Sequence, residues 1–143
     1  MGLWGTWQLY ALGSAFFAAL TALFGKIGVM EINSNLATFI RTVVILALIG
    51  AVVTANHQWQ RLETLSRHGL LFLVLSAGAT GFSWLCYYRA LQLGPVSKVA
   101  PVDKLSVALA MVLGIIFLGE TLSFKALLGG LLVVAGAVLM VLA

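Results

Sequence analysis

The amino-acid sequence predicts an all-α integral membrane protein, a bundle of five transmembrane helices forming one domain over residues 1–143. Hydrophobic residues make up 62% of the chain and charged residues only 8%, whereas a typical soluble domain has about 25% charged residues. Five apolar segments each approach the roughly 20 residues that a helix needs to cross a bilayer. The length fits a single domain. The lipid bilayer is therefore the first predicted partner.

The distribution of charge argues against nucleic acid as a partner. The formal net charge is +4 at pH 7, but the cations form no run and no basic face beside an aromatic platform. They flank or interrupt the apolar segments instead. A single cysteine, Cys86, can form no internal disulfide. We also expect no cleavable signal peptide, because the first apolar segment is longer than the usual hydrophobic region of one.

No set of residues with an enzyme's chemistry is present in the sequence. It lacks a metalloprotease HExxH motif, a CxxC pair and a phosphate-binding loop. The two histidines have no cysteine or acid at metal-ligand spacing. The four acids lie on separate segments: Glu31, Glu63, Asp103 and Glu120. We therefore expect no enzymatic activity, no cofactor and no metal.

The predicted helices cover residues 6–28, 34–55, 69–92, 95–118 and 122–142. The second contains Arg41, about seven residues or roughly 10 Å inside it. Arg41 either snorkels back to the near interface or belongs to a site. In the third helix Trp84 and Tyr88 are four residues apart and share a face. Trp84 lies some 15 Å deep by helical rise, too deep for an aromatic belt at the interface.

The fourth helix is the most unusual, because Asp103 and Lys104 lie well inside it. A charge at that depth costs at least ~2.5–3.5 kcal/mol on insertion scales, so it should face protein or water. Neighbours in sequence do not face each other on a helix. Asp103 and Lys104 are therefore expected to neutralise each other poorly and to need other partners. Pro101 removes a backbone hydrogen bond and predicts a kink.

These charged and aromatic residues lie at similar depths in the membrane, counted by helical rise from the ends of their helices. The similarity predicts one polar cavity that forms the substrate pathway. Arg41 is the preferred partner for Asp103, and Lys104 then faces the cavity or a ligand. The local excess of cations favours a small-molecule solute with an anionic group, as in zwitterions. The expected pathway residues are Asp103, Lys104, Arg41, Trp84, Tyr88 and Ser106.

The fifth helix presents a face of small residues. Gly129, Gly130 and Gly136 make this face smooth, and small residues let helices approach closely in lipid. We expect this face to serve in helix packing or in contact with a second chain.

Four segments together resemble a known family. They are GKIG at 25–28, NLATFIRT at 35–42, RALQLGPVSKVAPVDKLS at 89–106 and LGETLS at 118–123. They look like the EamA-like domain of the drug/metabolite transporter superfamily, in its small five-helix bacterial and archaeal type. The resemblance covers almost the whole chain. The blocks around 98–106 and 119–120 are fairly specific in combination.

The resemblance implies a secondary transporter of the inner (plasma) membrane, with a substrate that varies across the superfamily. Many members carry two such domains as inverted repeats in ten helices. This chain has one, so a second copy is expected from another subunit. The related four-helix exporters of cationic drugs rely on an acid in the first helix. None is present here between residues 6 and 28, which argues against that device.

Three classes of function remain to be weighed. The first is a secondary transporter that works as a dimer. The second is a non-transporting membrane subunit, or a partner of a lipid-carrier flippase or of a heteromeric transporter. A membrane enzyme ranks last, for want of any reacting set of residues.

The cations near the membrane surface do not favour one orientation of the chain over the other. Three fall on each side of a five-span topology, and such cations determine how a membrane protein inserts. A balanced count predicts dual topology and an antiparallel homodimer. The rival is a single orientation with a separately encoded, homologous partner. The counted residues are Lys26, Arg89 and Lys98 on one side and Arg61, Arg67 and Lys125 on the other.

Overall fold

The computed structural model describes residues 6–142, except for the side chain of Leu62. Residues 1–5 and 143 of the predicted domain lie outside the described residues. Within them every regular element is a helix, and five helices are long and apolar enough to cross a membrane. The predicted fold class is therefore confirmed.

Six α-helices and one short 3₁₀-helix follow one another along residues 6–142. The 3₁₀-helix, Leu62–Thr64, lies in the connection between the second and third α-helices. The two helices α4 and α5 together make the fourth span, Val96–Leu118. The α-helices are α1 (Thr6–Glu31), α2 (Ser34–Ala55), α3 (Arg67–Leu93), α4 (Val96–Asp103), α5 (Leu105–Leu118) and α6 (Phe124–Leu142).

The helix ends differ from the predicted ones by a few residues. α1 continues past Gly28 to Glu31, because a membrane helix tolerates glycines that would weaken a soluble one. α6 begins at Phe124 instead of 122. The preceding helix ends at Leu118, and its C-cap Gly119 has a left-handed φ of 66°. Glycine adopts that conformation without steric penalty.

The fourth span is interrupted at Lys104. Pro101 lies inside α4 and has no amide hydrogen to donate to the preceding turn. The Lys104 amide donates to the carbonyl oxygens of Ala100 at 3.3 Å and Pro101 at 3.1 Å, and Val107 then donates to Lys104 at 3.0 Å. Bonds to the third preceding residue tighten a helix locally. The helix is thus interrupted three residues beyond the proline, and the kink expected at Pro101 itself stays a prediction.

The chain divides into two compact units, residues 24–92 and residues 1–23 with 93–143. In the first, Val29 and Leu91 are completely buried near the C-terminal ends of α1 and α3. In the second, α6 packs along both α4 and α5. Each unit carries one of the two groups of predicted site residues.

Candidate functional site

The first group of predicted site residues surrounds Arg41. Its guanidinium carbon Cζ lies over the ring of Trp84, 4.0 Å from the ring centroid. The same atom is 5.0 Å from the centroid of the Tyr88 ring. Trp84 and Tyr88 are one turn apart on α3, so they present both rings to α2. The structure thus brings three predicted residues of α2 and α3 into contact.

The guanidinium of Arg41 lies beside two rings at different depths along α3. Trp84 lies about nine residues, or roughly 13 Å, before the end of α3, and Tyr88 about five residues, or roughly 8 Å. The guanidinium is nearer to the deeper ring, Trp84. Whether Arg41 belongs to a site or snorkels to the near interface stays a prediction.

The electrostatic environment of Arg41 is only partly compensated. Its Nη1 is buried and has no hydrogen-bond partner. Within residues 24–92 no carboxylate forms an ion pair with it. A desolvated cation–π contact contributes about 2 kcal/mol, against the ~2.5–3.5 kcal/mol that arginine costs in a membrane span on insertion scales. The two rings therefore offset much of the free-energy cost of placing Arg41 in the membrane, but the N–H donors of Nη1 remain without an acceptor.

Gly25 is a residue of this cluster that the sequence analysis missed. A Cβ at this position would lie 2.9 Å from the Tyr88 hydroxyl oxygen, closer than real Cβ contacts. Tyr88 itself is only 5% exposed. Its ring is therefore held between α1 on one side and the guanidinium of Arg41 on the other. The GKIG segment contains this glycine, but in the sequence that segment carries only the family resemblance and indicates no contact with Tyr88.

Two side chains join the C-terminal ends of α1 and α3. Lys26 Nζ on α1 donates to the carbonyl oxygen of Leu91 at 2.6 Å. Gln92 Nε2 on α3 donates to the carbonyl oxygen of Val29 at 3.2 Å. The last four carbonyls of a helix have no partner inside it, so each helix satisfies one carbonyl of the other. Arg89 donates to Gln92 Oε1 at 2.6 Å and orients its amide.

These reciprocal caps position the rings that hold Arg41. They fix the end of α3 against α1 about one turn beyond Tyr88. A cation near a helix C-terminus is also favoured by the helix dipole. From the sequence alone, Lys26 and Arg89 are only charges that influence orientation. The hydrogen bond from Gln92 to Val29 joins two helices. The spacing of these residues in the sequence does not indicate it.

The second group of predicted residues lies at the break between α4 and α5. Lys104 Nζ and Asp103 Oδ2 form an ion pair at 3.2 Å. Ser106 Oγ donates to the backbone carbonyl of Asp103 at 2.7 Å. The side chains of Lys104 and Asp103 are 54% and 35% exposed, so neither is enclosed by its own chain.

The ion pair corrects one prediction from the sequence. Asp103 and Lys104 were expected to neutralise each other poorly, because neighbours on a continuous helix point about 100° apart. The helix is not continuous here: α4 ends at Asp103, and Lys104 has φ −71° and ψ −8°. The long lysine side chain then reaches its neighbour. Pairing of Asp103 with Arg41, a residue of the other unit, stays a prediction.

The glycine face of α6 divides into two kinds of position. A Cβ at Gly130 would lie 2.8 Å from Sδ of Met111, so Gly130 packs against α5 within the chain. Nothing lies within 4 Å of the corresponding points at Gly129 and Gly136. These two glycines face open space in this chain. Their predicted role in contact with a second chain stays a prediction.

Glu120 in the LGETLS segment folds back onto α5. Its amide donates to the Gly114 carbonyl at 3.2 Å, and its Oε2 lies 2.8 Å from where a Gly114 Cβ would be. Gly119, with its left-handed φ, makes this return possible. The segment therefore has a structural role in ending the fourth span. Within residues 6–142 no three His, Cys, Asp or Glu side chains are grouped so as to hold a metal ion.

Comparison with known proteins gives two matches. Residues 5–142 match the family described as the EamA-like transporter family. A Sinorhizobium protein named "Uncharacterized transporter in cobO 3'region" is 53% identical over 135 residues, which is 94% of this chain and 96% of that protein. No solved structure matches the chain significantly. The matches confirm the resemblance inferred from the four sequence segments.

Proposed function

Because this chain belongs to the EamA-like transporter family, we propose that it is a secondary transporter of a small organic solute or metabolite. The proposed setting is the inner membrane, and the proposed working unit is a dimer of five-helix subunits. The observation that carries the proposal is the half-exposed ion pair of Asp103 and Lys104 at the break in the fourth span. Charges and broken helices at membrane depth are typical of transport pathways.

The break gives the pathway residues a means to exchange partners. Asp103 and Lys104 are joined through one pair of atoms and keep exposed surface. A solute's polar group can therefore replace one partner without unfolding a helix. Ser106, bonded to the carbonyl of Asp103, stabilises the turn at which this exchange takes place. Arg41, Trp84 and Tyr88 supply a second polar surface within the spans.

The proposed dimer rests on how related transporters are built. Inverted-repeat transporters combine two copies of opposite orientation, and residues 6–142 hold five spans that the family match covers once. The balanced cations allow a single chain to insert both ways. We propose an antiparallel homodimer in which the open glycines of α6, Gly129 and Gly136, contact the partner.

Flux measurements with the purified chain test the proposal. The chain is reconstituted into proteoliposomes, and candidate solutes are first selected by their ability to raise its melting temperature. Uptake by the chain alone supports a homomeric transporter. Activity that appears only with a co-purifying protein would instead indicate a subunit of a heteromeric transporter or of a lipid-carrier flippase.

Orientation is tested separately with two C-terminal reporters. One reporter is active only in the cytoplasm and the other only outside the inner membrane. Comparable signal from both, at normal expression, is expected for dual topology. Signal from one reporter alone would contradict the antiparallel homodimer and favour an oppositely oriented, separately encoded partner.

A further inference from the structure

We propose that Arg41 is the binding site for a carboxylate group on the solute. This inference rests on the proposed transport function and specifies the chemical class of what is moved. It concerns only α2 and α3, whose residues Arg41, Trp84 and Tyr88 are in contact. A carboxylate would be the acceptor that the guanidinium lacks within its own unit.

The guanidinium has donors to offer. Arginine carries five N–H donors in a fixed fork and stays protonated in proteins. Nη1 of Arg41 is buried and has no hydrogen-bond partner, although a buried polar group normally has at least one. The residue as a whole is half-buried, so part of its side chain remains reachable. Unsatisfied donors beside a reachable surface are the arrangement expected of an anion site awaiting its ligand.

The aromatic rings prepare Arg41 for this role. With Cζ over the Trp84 ring and near the Tyr88 ring, the side chain is restrained before the ligand arrives. Tyr88 is restrained in turn by its close contact with Gly25, where even a Cβ atom would not fit beside the tyrosine ring. A donor held in place loses less conformational entropy on binding than a free one. The cluster is therefore preorganised around the guanidinium.

The charge balance indicates a carboxylate and not a phosphate. A free phosphate group carries about −1.5 to −2 charges at neutral pH, whereas Arg41 provides one positive charge. Its contacts from α3 are two aromatic rings, and neither is a cation. A lipid phosphate has one charge but belongs at the bilayer surface, and the guanidinium lies over Trp84, roughly 13 Å from the end of α3. A carboxylate with an apolar body fits both the charge and the depth.

Binding is measured with three probes that share one carbon skeleton: 3-phenylpropanoate, its amide and 3-phenylpropylamine. The purified full chain is kept in a maltoside detergent, which contains no phosphate, and its melting temperature is followed as each probe is titrated. Only the carboxylate is expected to stabilise the wild-type protein. Equal stabilisation by the amide or the amine would overturn the proposal. This comparison needs no variant.

Variants then locate the site. Arg41→Gln is expected to weaken carboxylate binding by at least about tenfold, which is the loss typical of a hydrogen bond to a charged group. Arg41→Lys keeps the charge without the fork and should bind with intermediate affinity. Arg61→Gln is the matched control, since Arg61 lies outside the spans, and should bind as the wild type does. Unchanged affinity in Arg41→Gln would place the carboxylate elsewhere.

Two further arms separate the alternative outcomes. Phosphatidylglycerol is added to the micelles; if it stabilises the wild type through Arg41 and the carboxylate adds nothing, the anion is a lipid headgroup and the inference is overturned. Inorganic phosphate binding more tightly than the carboxylate would overturn it as well. Because binding in micelles requires no flux, carboxylate binding without transport would contradict the proposed function and leave the site intact. Transport that is unaffected by Arg41→Gln would contradict the carboxylate site at Arg41 and leave the proposed transport function intact.

Discussion

The two clusters of charged residues show opposite ways of keeping charge inside an apolar bundle. Around Arg41 the helices are continuous, and the charge is covered by rings and restrained by a glycine contact. Around Asp103 the helix is broken, and the charges pair with each other while staying half-exposed. The first arrangement is fixed by packing. The second depends on a single contact, between Lys104 Nζ and Asp103 Oδ2.

The difference has a consequence for stability and for activity. Changes near Arg41 disturb buried packing and should first affect the free energy of unfolding. Changes near Asp103 disturb an ion pair that is half-exposed in its own chain, and in the proposed water-filled pathway such a pair contributes only about 0–1 kcal/mol. Mutations at the break should therefore affect flux while sparing the fold.

The largest expected effect is the loss of transport in Asp103→Asn. This change keeps the shape of the side chain and removes the charge that pairs with Lys104. We expect flux in proteoliposomes to fall to background, with a melting temperature within a few degrees of wild type because the pair is half-exposed. Glu63→Gln, outside the spans, is the control. A strongly lowered melting temperature would show that Asp103 is a structural counter-charge, and undiminished flux would exclude a coupling role.

Much of the fold could be predicted from the sequence. Five apolar segments of sufficient length determine the spans, because backbone groups in lipid must be satisfied within a helix. The contact of Arg41 with Trp84 and Tyr88 agrees with their similar depths, counted from the ends of α2 and α3. Depth is readable because helical rise is constant.

The details of the site were less predictable, for identifiable reasons. The pairing of Asp103 with Lys104 was missed because a helical wheel assumes an unbroken helix. The contact of Gly25 with Tyr88 joins residues far apart in sequence, and glycines are common near helix ends even where no side chain packs against them. The bond from Gln92 to Val29 depends on which helix ends lie side by side. All three are properties of the assembled helices and not of any one segment.

Gly25→Ala tests whether the Arg41 cluster is tightly packed. The added Cβ would meet the Tyr88 hydroxyl at 2.9 Å, and Tyr88 is buried between Gly25 and the guanidinium. Overpacking of this kind destabilises by about 1–3 kcal/mol. Unfolding followed by tryptophan fluorescence measures the change. Gly28→Ala is the matched control, because nothing lies within 4 Å of its Cβ position, and it should be neutral or slightly stabilising. An equal change in the free energy of unfolding in Gly25→Ala and Gly28→Ala would mean that the Tyr88 ring moves freely to make room for the added Cβ.

Gln92→Leu tests the caps that join α1 and α3. The change removes the donor to the Val29 carbonyl and the acceptor for Arg89. A buried carbonyl left without its partner costs about 1–3 kcal/mol, and the partial exposure of Gln92 places the expected loss near the lower end. Hydrogen exchange at the ends of α1 and α3 should become faster. Gln58→Leu, at an exposed position outside the helices, should change neither quantity; if Gln92→Leu resembles it, the cap does not hold the helix ends together.

The smallest expected change in stability, and the most direct test of the break, is Pro101→Ala. Alanine restores an amide hydrogen inside the fourth span and favours a continuous helix. In a continuous helix Asp103 and Lys104 would point apart, so their pair at 3.2 Å should be lost. We expect stability to stay within about 1 kcal/mol of wild type, while flux falls several-fold because the exchangeable pair is gone. Pro95→Ala is the control, since Pro95 is the N-cap of α4 and takes part in the helix only through its carbonyl, which accepts from Val99 at 3.0 Å and which alanine keeps. If Pro101→Ala and Pro95→Ala both transport normally, the break at Lys104 serves only helix packing. The cluster around Asp103 would then not be the exchangeable counterpart of the packed cluster around Arg41.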